Sequence, residues 1–474
     1  MEELWRLSAA QLAEGYRTGA FTPIDALDAV LARIEQWQPH INAMAMVDAA
    51  GARQAAGASR LRWARHKQRS PLDGVPISLK DNLNAGGLHT TWGSRLLKDF
   101  VAHKDELPVA RLRAAGAVLF GKTTLPEFAM QGTTSNRVTG ITRNPWNPAL
   151  TPGGSSGGAV AAVASGCGPL ALATDGGGSI RRPASHTGLV GFKPSIGLVP
   201  RQDGLPEIFL DYEVAGGIGR TVRDVQLLAT VLASPGPGLD PAEFTHAHIL
   251  YVPSFAGHPV DPAIAAQVRE VAGRLQALGH TVEEGPPFGL AEEVNALWPT
   301  LSATGLAWML GDASAHPEFH LAPGQLPDIA QCSDATQRIL GEGLAAEGAT
   351  LFELLHAIRT LNVALEDLFL RHDFILTPAT AALPWPVEQT HPALIDGREA
   401  GPRGHAVFTP FANAAGLPAI ALPSGFVDGL PTGFQLVGAP GSDAALLEMA
   451  ANYEQAHPWA THWPELPAAP PSQP

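Results

Sequence analysis

Cysteine is nearly absent: Cys167 and Cys332 are the two in 474 residues. Two thiols make no disulfide framework, so stability has to come from the core, and a reduced, cytoplasmic setting is expected. No Cys/His spacing resembles a zinc site, and neither a metal nor another cofactor is expected. Basic residues are outnumbered, 31 Lys+Arg against 45 Asp+Glu, for a formal charge of −14. That balance speaks against nucleic acid and against anionic membrane surfaces as partners. Long apolar runs are missing as well. The longest weakly polar stretch, 159–174, is broken by glycines and a proline and is too short to span a bilayer. The first residues, MEELWRLSAAQLAEGYRTG, are charged and amphipathic and lack the apolar segment of a signal peptide. No internal repeat and no long linker divides the chain.

What is plentiful is apolar residues, at 45%, punctuated by 50 glycines and 42 prolines. That is ample for a large core. Leu4, Leu7, Leu12 and Tyr16 recur at near-helical spacing. Thr22-Pro23 opens a second helix with Ala26, Leu27, Val30, Leu31 and Ile34 on one face and an end expected before Pro39. An Ala/Arg-rich helix is expected over 49–69. Short apolar runs then alternate with helical patterns. Strands are expected at 75–79, 118–120, 170–174, 248–252, 281–284, 374–377 and 419–422, and helices at 108–115, 159–165, 223–233 and 261–278. Such alternation signals a layered α/β fold. Residues 286–370 read as mostly helical, and 466–474 as a proline-rich, disordered tail.

The chemistry is densest between Thr151 and Ser195. Two glycine-rich turns carry serines: GGSSGG at 153–158 and DGGGS at 175–179. Glycines beside a serine admit φ > 0 and let a ligand approach main-chain N–H groups. Ser155 and Ser156 precede a helical stretch, where free N–H groups and partial positive charge gather. Ser179 follows the end of a strand. The N–H groups of Gly176, Gly177, Gly178 and Ser179 can converge on one oxygen, as an oxyanion hole requires. Lys80 ends an apolar run, and Asp81-Asn82 after it can hold a turn. Burial there would lower its pKa into the range of a general base, which a serine nucleophile needs. The same residues also allow plain readings: glycine-rich turns and a surface lysine. A G-x-S-x-G reading makes Ser155 the nucleophile with His186 or His405 as base. Against it, the preceding RNPWNP, 143–148, is turn chemistry rather than a strand. A phosphate loop lacks its closing Gly-Lys-Ser/Thr.

Taken together the blocks resemble the amidase signature family. GGSSGG is followed by TDGGGSIRRPA, which fits the pattern TDxGGSIRxPA, and then by GLVGFKPS. GVPISLKDN (74–82) is similar to the family's lysine motif. GKTTLPEF (121–128), TRNPWNP (142–148), TPFAN (409–413) and GFQLVG (433–438) fit as well, so the resemblance spans roughly 5–458. It implies one large α/β/α layered domain, 1–465, around a mixed, twisted central β-sheet. A helical N-terminal cover would occupy about 1–65 and a variable, mostly helical insert about 286–370. It implies hydrolysis of a carboxamide C–N bond by a Ser–Ser–Lys triad. Ser179 would be the nucleophile and form an acyl-enzyme, and Ser155, after a cis Gly154–Ser155 bond, would relay its proton to Lys80. From the residues themselves, Ser156 and Thr151 would support the first turn, and Asp175 with Arg181 and Arg182, which flank the second, would either contact the substrate directly or brace the loop as an ion pair. By the resemblance, Ala129, Met130, Gln131, Gly132 and Thr133 would line the acyl side of the pocket, Gln131 facing the substrate.

Some members of that family also serve as the glutaminase component of a tRNA-dependent amidotransferase. In that type a pattern ending in SSLDQ is expected after FKPS. Here the chain reads GLVP at 197–200 and YEVAGGIGRT at 212–221, which favours a stand-alone amidase. The expected substrate is a small, neutral, apolar or aromatic amide, with Leu301, Leu306, Trp308 and Met309 of the insert joining Ala129 and Met130 around it. No nucleic acid or membrane partner is expected, and a homodimer stays open.

Overall fold

Phe374–Pro378 is buried along its whole length, yet its residues face two different cores. Phe374 and Leu376 pack with Ile420, Leu422, Phe434 and Leu436, whereas Ile375 packs with Ala419 and Val437. The alternation is the period of two of a strand covered on both faces. A computed structural model describes residues 3–234, 239 and 246–468, and among these the fold is a central sheet of 11 strands flanked by helices. The strands are β1 Met44–Val47, β2 Pro76–Lys80, β3 Val118–Thr123, β4 Ser135–Asn136, β5 Gly140–Ile141, β6 Leu170–Asp175, β7 Val190–Lys193, β8 Val214–Gly219, β9 His248–Tyr251, β10 Thr281–Glu284, β11 Phe374–Pro378, β12 Leu394–Ile395, β13 Arg398–Glu399, β14 Ala419–Val427 and β15 Leu430–Gly438. The sheet order is β1-β3-β2-β6-β8-β7-β14-β15-β11-β9-β10, with β4–β5 and β12–β13 as separate small hairpins. The sheet is mixed. β3, β2 and β6 run parallel, as do β11, β9 and β10, while the strands between them pair antiparallel.

Helices Val222–Leu232, Pro262–Ala277 and Asp443–Ala456 contribute Val225, Val268, Val271, Leu446 and Tyr453 to one core. Helices Glu292–Gly311 and Gly348–Phe369 of the insert contribute Trp298, Leu301, Leu354 and Leu361 to the other. Near the N-terminus, helix Pro23–Ile41 starts on a capping box. Asp25 N–H donates to Thr22 Oγ1 at 3.3 Å, and Thr22 N–H donates to Asp25 Oδ2 at 2.8 Å. This helix runs through Pro39 rather than ending before it. The proline falls in the last turn, so the one ladder hydrogen bond it removes lies where the helix is ending, and Asn42 closes the helix in the left-handed region with φ 48°. From residue 469 on, the expected disordered tail lies outside the described residues, and 466–468 form neither helix nor strand.

Candidate active site

Because β2 and β6 are parallel neighbours, with Leu79 opposite Leu172, their C-terminal ends meet at one edge. Lys80 closes β2, and Thr174 and Asp175 close β6. In open α/β sheets this edge is where ligands sit. Both serine turns arrive there. The first leads into helix Gly157–Ala164 and the second into helix Arg181–Thr187. Ser156 N–H donates to Ser179 O at 3.2 Å and ties the two turns together.

Lys80 is fully buried, and its Nζ donates to Ser155 Oγ at 2.8 Å and to Thr174 Oγ1 at 3.0 Å. Burial pulls the ammonium down to about 8, with the carboxylates of Glu213 and Asp175 working against it. The Gly154–Ser155 peptide bond is cis. Thr151 Oγ1 accepts from Gly153 N–H at 3.0 Å, and Ser156 Oγ donates to Thr174 O at 3.3 Å. Ser179 is 8% exposed, and its hydroxyl has no hydrogen-bond partner among the described residues.

The second turn is held from below. Asp175 and Arg181 form a fully buried pair, Arg181 Nη2 to Asp175 Oδ1 at 2.9 Å and Nε to Oδ2 at 3.0 Å. Burial alone would raise the Asp175 carboxyl, but the Arg181 charge and hydrogen bonds overcome it and hold the carboxyl below its ordinary range. Arg181 also donates to Gln435 Oε1 at 2.6 Å, Asn413 Oδ1 at 2.5 Å and Thr409 O at 3.1 Å. The TPFAN and GFQLVG blocks thus meet the loop through Arg181. Gly178 has φ 107°, and a Cβ there would lie 2.2 Å from Thr409 Oγ1, so only glycine fits. Its N–H is already given to Asp175 Oδ1 at 2.6 Å, and that of Gly177 reaches the same oxygen at 3.3 Å. Of the four donors expected to face an oxyanion, Gly178 is therefore committed to the loop itself, and Gly177 is held there by a longer bond that an oxyanion would have to compete with.

A cavity of about 670 Å³ opens over Ser179. Ala129, Met130, Gln131, Gly132, Gly176, Gly177 and Arg182 line it. Thr133, expected beside them, is buried and does not. Its neighbour Thr134 instead braces the first turn, donating to Gly153 O at 2.9 Å and accepting from Gly157 N–H at 3.2 Å. The insert does reach the cavity, but not through the expected residues. Leu301, Leu306 and Met309 are buried in the core and Trp308 is exposed, because the helix turns a different face to the site. That face carries Asn295, Trp298, Pro299 and Ser302, and Trp298 Nε1 donates to Gly176 O at 3.2 Å. Other residues missed in the sequence stand behind Lys80. Lys122 Nζ donates to Leu83 O at 2.7 Å and lies 3.3 Å from Asp81 Oδ1, fixing the turn that follows the catalytic-lysine candidate. The GKTT block was the one signal for it. His186 gives its Nε2 to Ala382 O at 3.1 Å, and neither it nor His405 bonds Ser155, whose partner is Lys80.

A family model described as Amidase matches residues 25–447. The chain belongs to the amidase signature family. Among curated relatives, the A component of the glutamyl-tRNA(Gln) amidotransferase of Symbiobacterium thermophilum is 34% identical over 95% of this chain and 96% of its own length. The acylamidase of Rhodococcus erythropolis is 32% identical over 98% of both. The crystal structure of a bacterial aryl acylamidase of the amidase signature family superposes with a TM-score of 0.86 at 29% identity, covering 96% of this chain and 97% of that one. As a member of this family the chain is an amidohydrolase with the family's mixed α/β fold. Among its described residues no helix is long and apolar enough to cross a membrane.

Proposed function

We propose that this amidase hydrolyses a carboxamide through an acyl-enzyme on Ser179, and the observation that carries the reading is the buried Lys80 Nζ–Ser155 Oγ hydrogen bond of 2.8 Å. Neutral Lys80 accepts a proton from Ser155 as Ser155 accepts one from Ser179. The Ser179 Oγ–acyl carbon bond forms, and the carbonyl electron pair moves onto oxygen, facing the N–H groups of Gly176, Gly177 and Ser179. Collapse breaks the C–N bond, and the proton returns from Lys80 through Ser155 to the leaving nitrogen. Water then repeats the sequence against the acyl carbon, releasing carboxylate and free Ser179. Part of the cavity is apolar, with Ala129, Met130, Trp298 and Pro299, and suits an apolar acyl body. The expectation of an uncharged substrate leaned on Ala129 and Met130, which line the cavity, and on Leu301, Leu306, Trp308 and Met309, which do not.

An alkyl fluorophosphonate is expected to label Ser179, as peptide mapping would show. Label on Ser155 with Ser179 unmodified would revive the elbow reading. The profile of kcat/KM against pH is expected to rise as Lys80 loses its proton, with a midpoint near 8 and a plateau above. A profile flat from pH 6 to 10 would remove Lys80 as the base.

A second reading, the glutaminase component of an amidotransferase, is favoured by relatives such as the Symbiobacterium protein. The absent SSLDQ pattern weighs against it. A clear preference for glutamine, or activity that emerges only with partner chains added, would decide for it.

A further inference from the structure

Beside Ser179 the cavity gathers positive charge that nothing answers. Arg182 is 6% exposed. Its Nη1 donates to Gly177 O and, at 3.0 Å, to Thr409 Oγ1, while its Nε has no partner among the described residues. Arg403 also lines the cavity, and its guanidinium has no hydrogen bond or ion pair among the described residues. His405, 3% exposed, lines the same wall, and neither ring nitrogen has a hydrogen-bond partner among the described residues. Gly132 leaves room for its ring, since a Cβ there would lie 2.3 Å from His405 Nε2.

The electrostatics agree with the geometry. Burial, then the like charge of Arg403, lowers Arg182 to about 9. Burial lowers Arg403 to about 10, and His405 falls well below its ordinary value through burial and the charge of Arg182. The acid that acts on Arg182 is Asp175, which Arg181 already neutralises. Glu213 is paired with Arg201 at 3.1 Å, and the other lining acids, Glu292, Glu342 and Glu399, are exposed. Arg182 is buried and Arg403 half-buried, and each feels the cavity's positive charge without a counterion, whereas buried cations in proteins are normally paired. Arg182 also stands at the position that the pattern TDxGGSIRxPA leaves open, so it is a feature of this chain rather than of the motif.

We infer that the amide substrate itself carries a carboxylate, which Arg182, Arg403 and His405 receive within reach of Ser179. The inference deepens the amidohydrolase reading and rests on it for the position of the scissile bond. A planar carboxylate matches the guanidinium fork, and neutral His405 supplies a further N–H. The carboxylate can sit on the acyl or the amine side of the bond.

The test compares kcat/KM for glutaramate, with its carboxylate on the acyl side, for N-butyrylglycine, with it on the amine side, and for neutral glutaramide. Wild type and Arg403→Gln are measured together. One carboxylate-bearing amide is expected to exceed the neutral one by about tenfold or more, the worth of one charge-assisted hydrogen bond. Arg403→Gln is expected to reduce that ratio by a similar factor. A neutral amide turned over as well as both acids, or a ratio that the variant leaves unmoved, overturns the inference. Calorimetric titration with glutarate reads the anion site without turnover. Binding that weakens about tenfold in Arg403→Gln supports the inference, and no binding to wild type overturns it. Failure of Ser179 to take the fluorophosphonate would instead sink the Ser179 acyl-enzyme reading and leave the calorimetric test standing.

Discussion

Replacing Lys80 with alanine is expected to lower kcat by on the order of 10⁴, the upper range for a lost general base. Among the described residues Lys80 is the one buried cation bonded to Ser155, and removing it leaves both serines at their ordinary acidity with no acceptor for the proton. Ser155→Ala should cost less, because a water in the vacated volume can span part of the gap. Lys80→Arg separates the two roles of this side chain. Arginine keeps donors for Ser155 and Thr174 but does not give up a proton, so it should be as inactive as alanine. In both variants the rise of kcat/KM near pH 8 should vanish. Thermal midpoints measured alongside distinguish loss of the base from loss of the fold. Near-normal turnover of Lys80→Ala at pH 7 would refute the Ser–Ser–Lys scheme.

The strands that could be read from the sequence are those built of unbroken apolar residues, such as β6, LALATD, and β11, FILTP. Apart from the edge strand β1, the ones that stayed hidden are central. β8 is VAGGIG, fully buried, and its glycines erase any alternation of side chains. β7, VGFK, and β15, LPTGFQLVG, registered only as pieces of motif, although they join the two parallel halves of the sheet. Helix Arg181–Thr187 opens on two arginines and is buried throughout. An amphipathic pattern cannot reveal it, because burial of Arg181 depends on partners more than 200 positions away in the chain.

The site divides along the same line. Lys80, Ser155 and Ser179 lie in contiguous blocks whose glycines and serines announce themselves. Trp298 and Arg403 reach the cavity only through the packing of distant elements, and nothing local marks them, while His405 drew notice only as a base it does not serve as. The insert shows how apolarity misleads: Leu301, Leu306 and Met309 read equally as pocket or core, and the helix turns them to the core. Arg182 was legible as a brace, and it does hold Gly177 O and Thr409. Its unanswered charge shows only once Arg403 stands beside it.

Arg181→Met is expected to destabilise the protein by about 3–5 kcal/mol, the cost of removing one partner from a buried ion pair. The variant keeps much of the side-chain volume but leaves the Asp175 carboxylate fully buried beside Gln435 and Asn413, whose oxygens lose their donor. A denaturant midpoint at neutral pH would show the loss. The pH dependence identifies its origin. In the wild type the folded-state pKa of Asp175 is depressed, so its contribution is present above the unfolded carboxylate pKa and is lost as pH falls through the folded value. Without Arg181 burial acts with less opposition, Asp175 takes up a proton at higher pH, and that protonation relieves the uncompensated charge. The gap between variant and wild type should therefore be widest near neutrality and narrow as the pH is lowered towards 4. Arg181→Lys should recover part of the stability, since an ammonium restores the charge but not the fork that binds Asp175, Gln435 and Asn413 at once. A destabilisation of Arg181→Met that stays constant from pH 7 to pH 4 would show that packing, not the charge of Asp175, sets the strength of this brace.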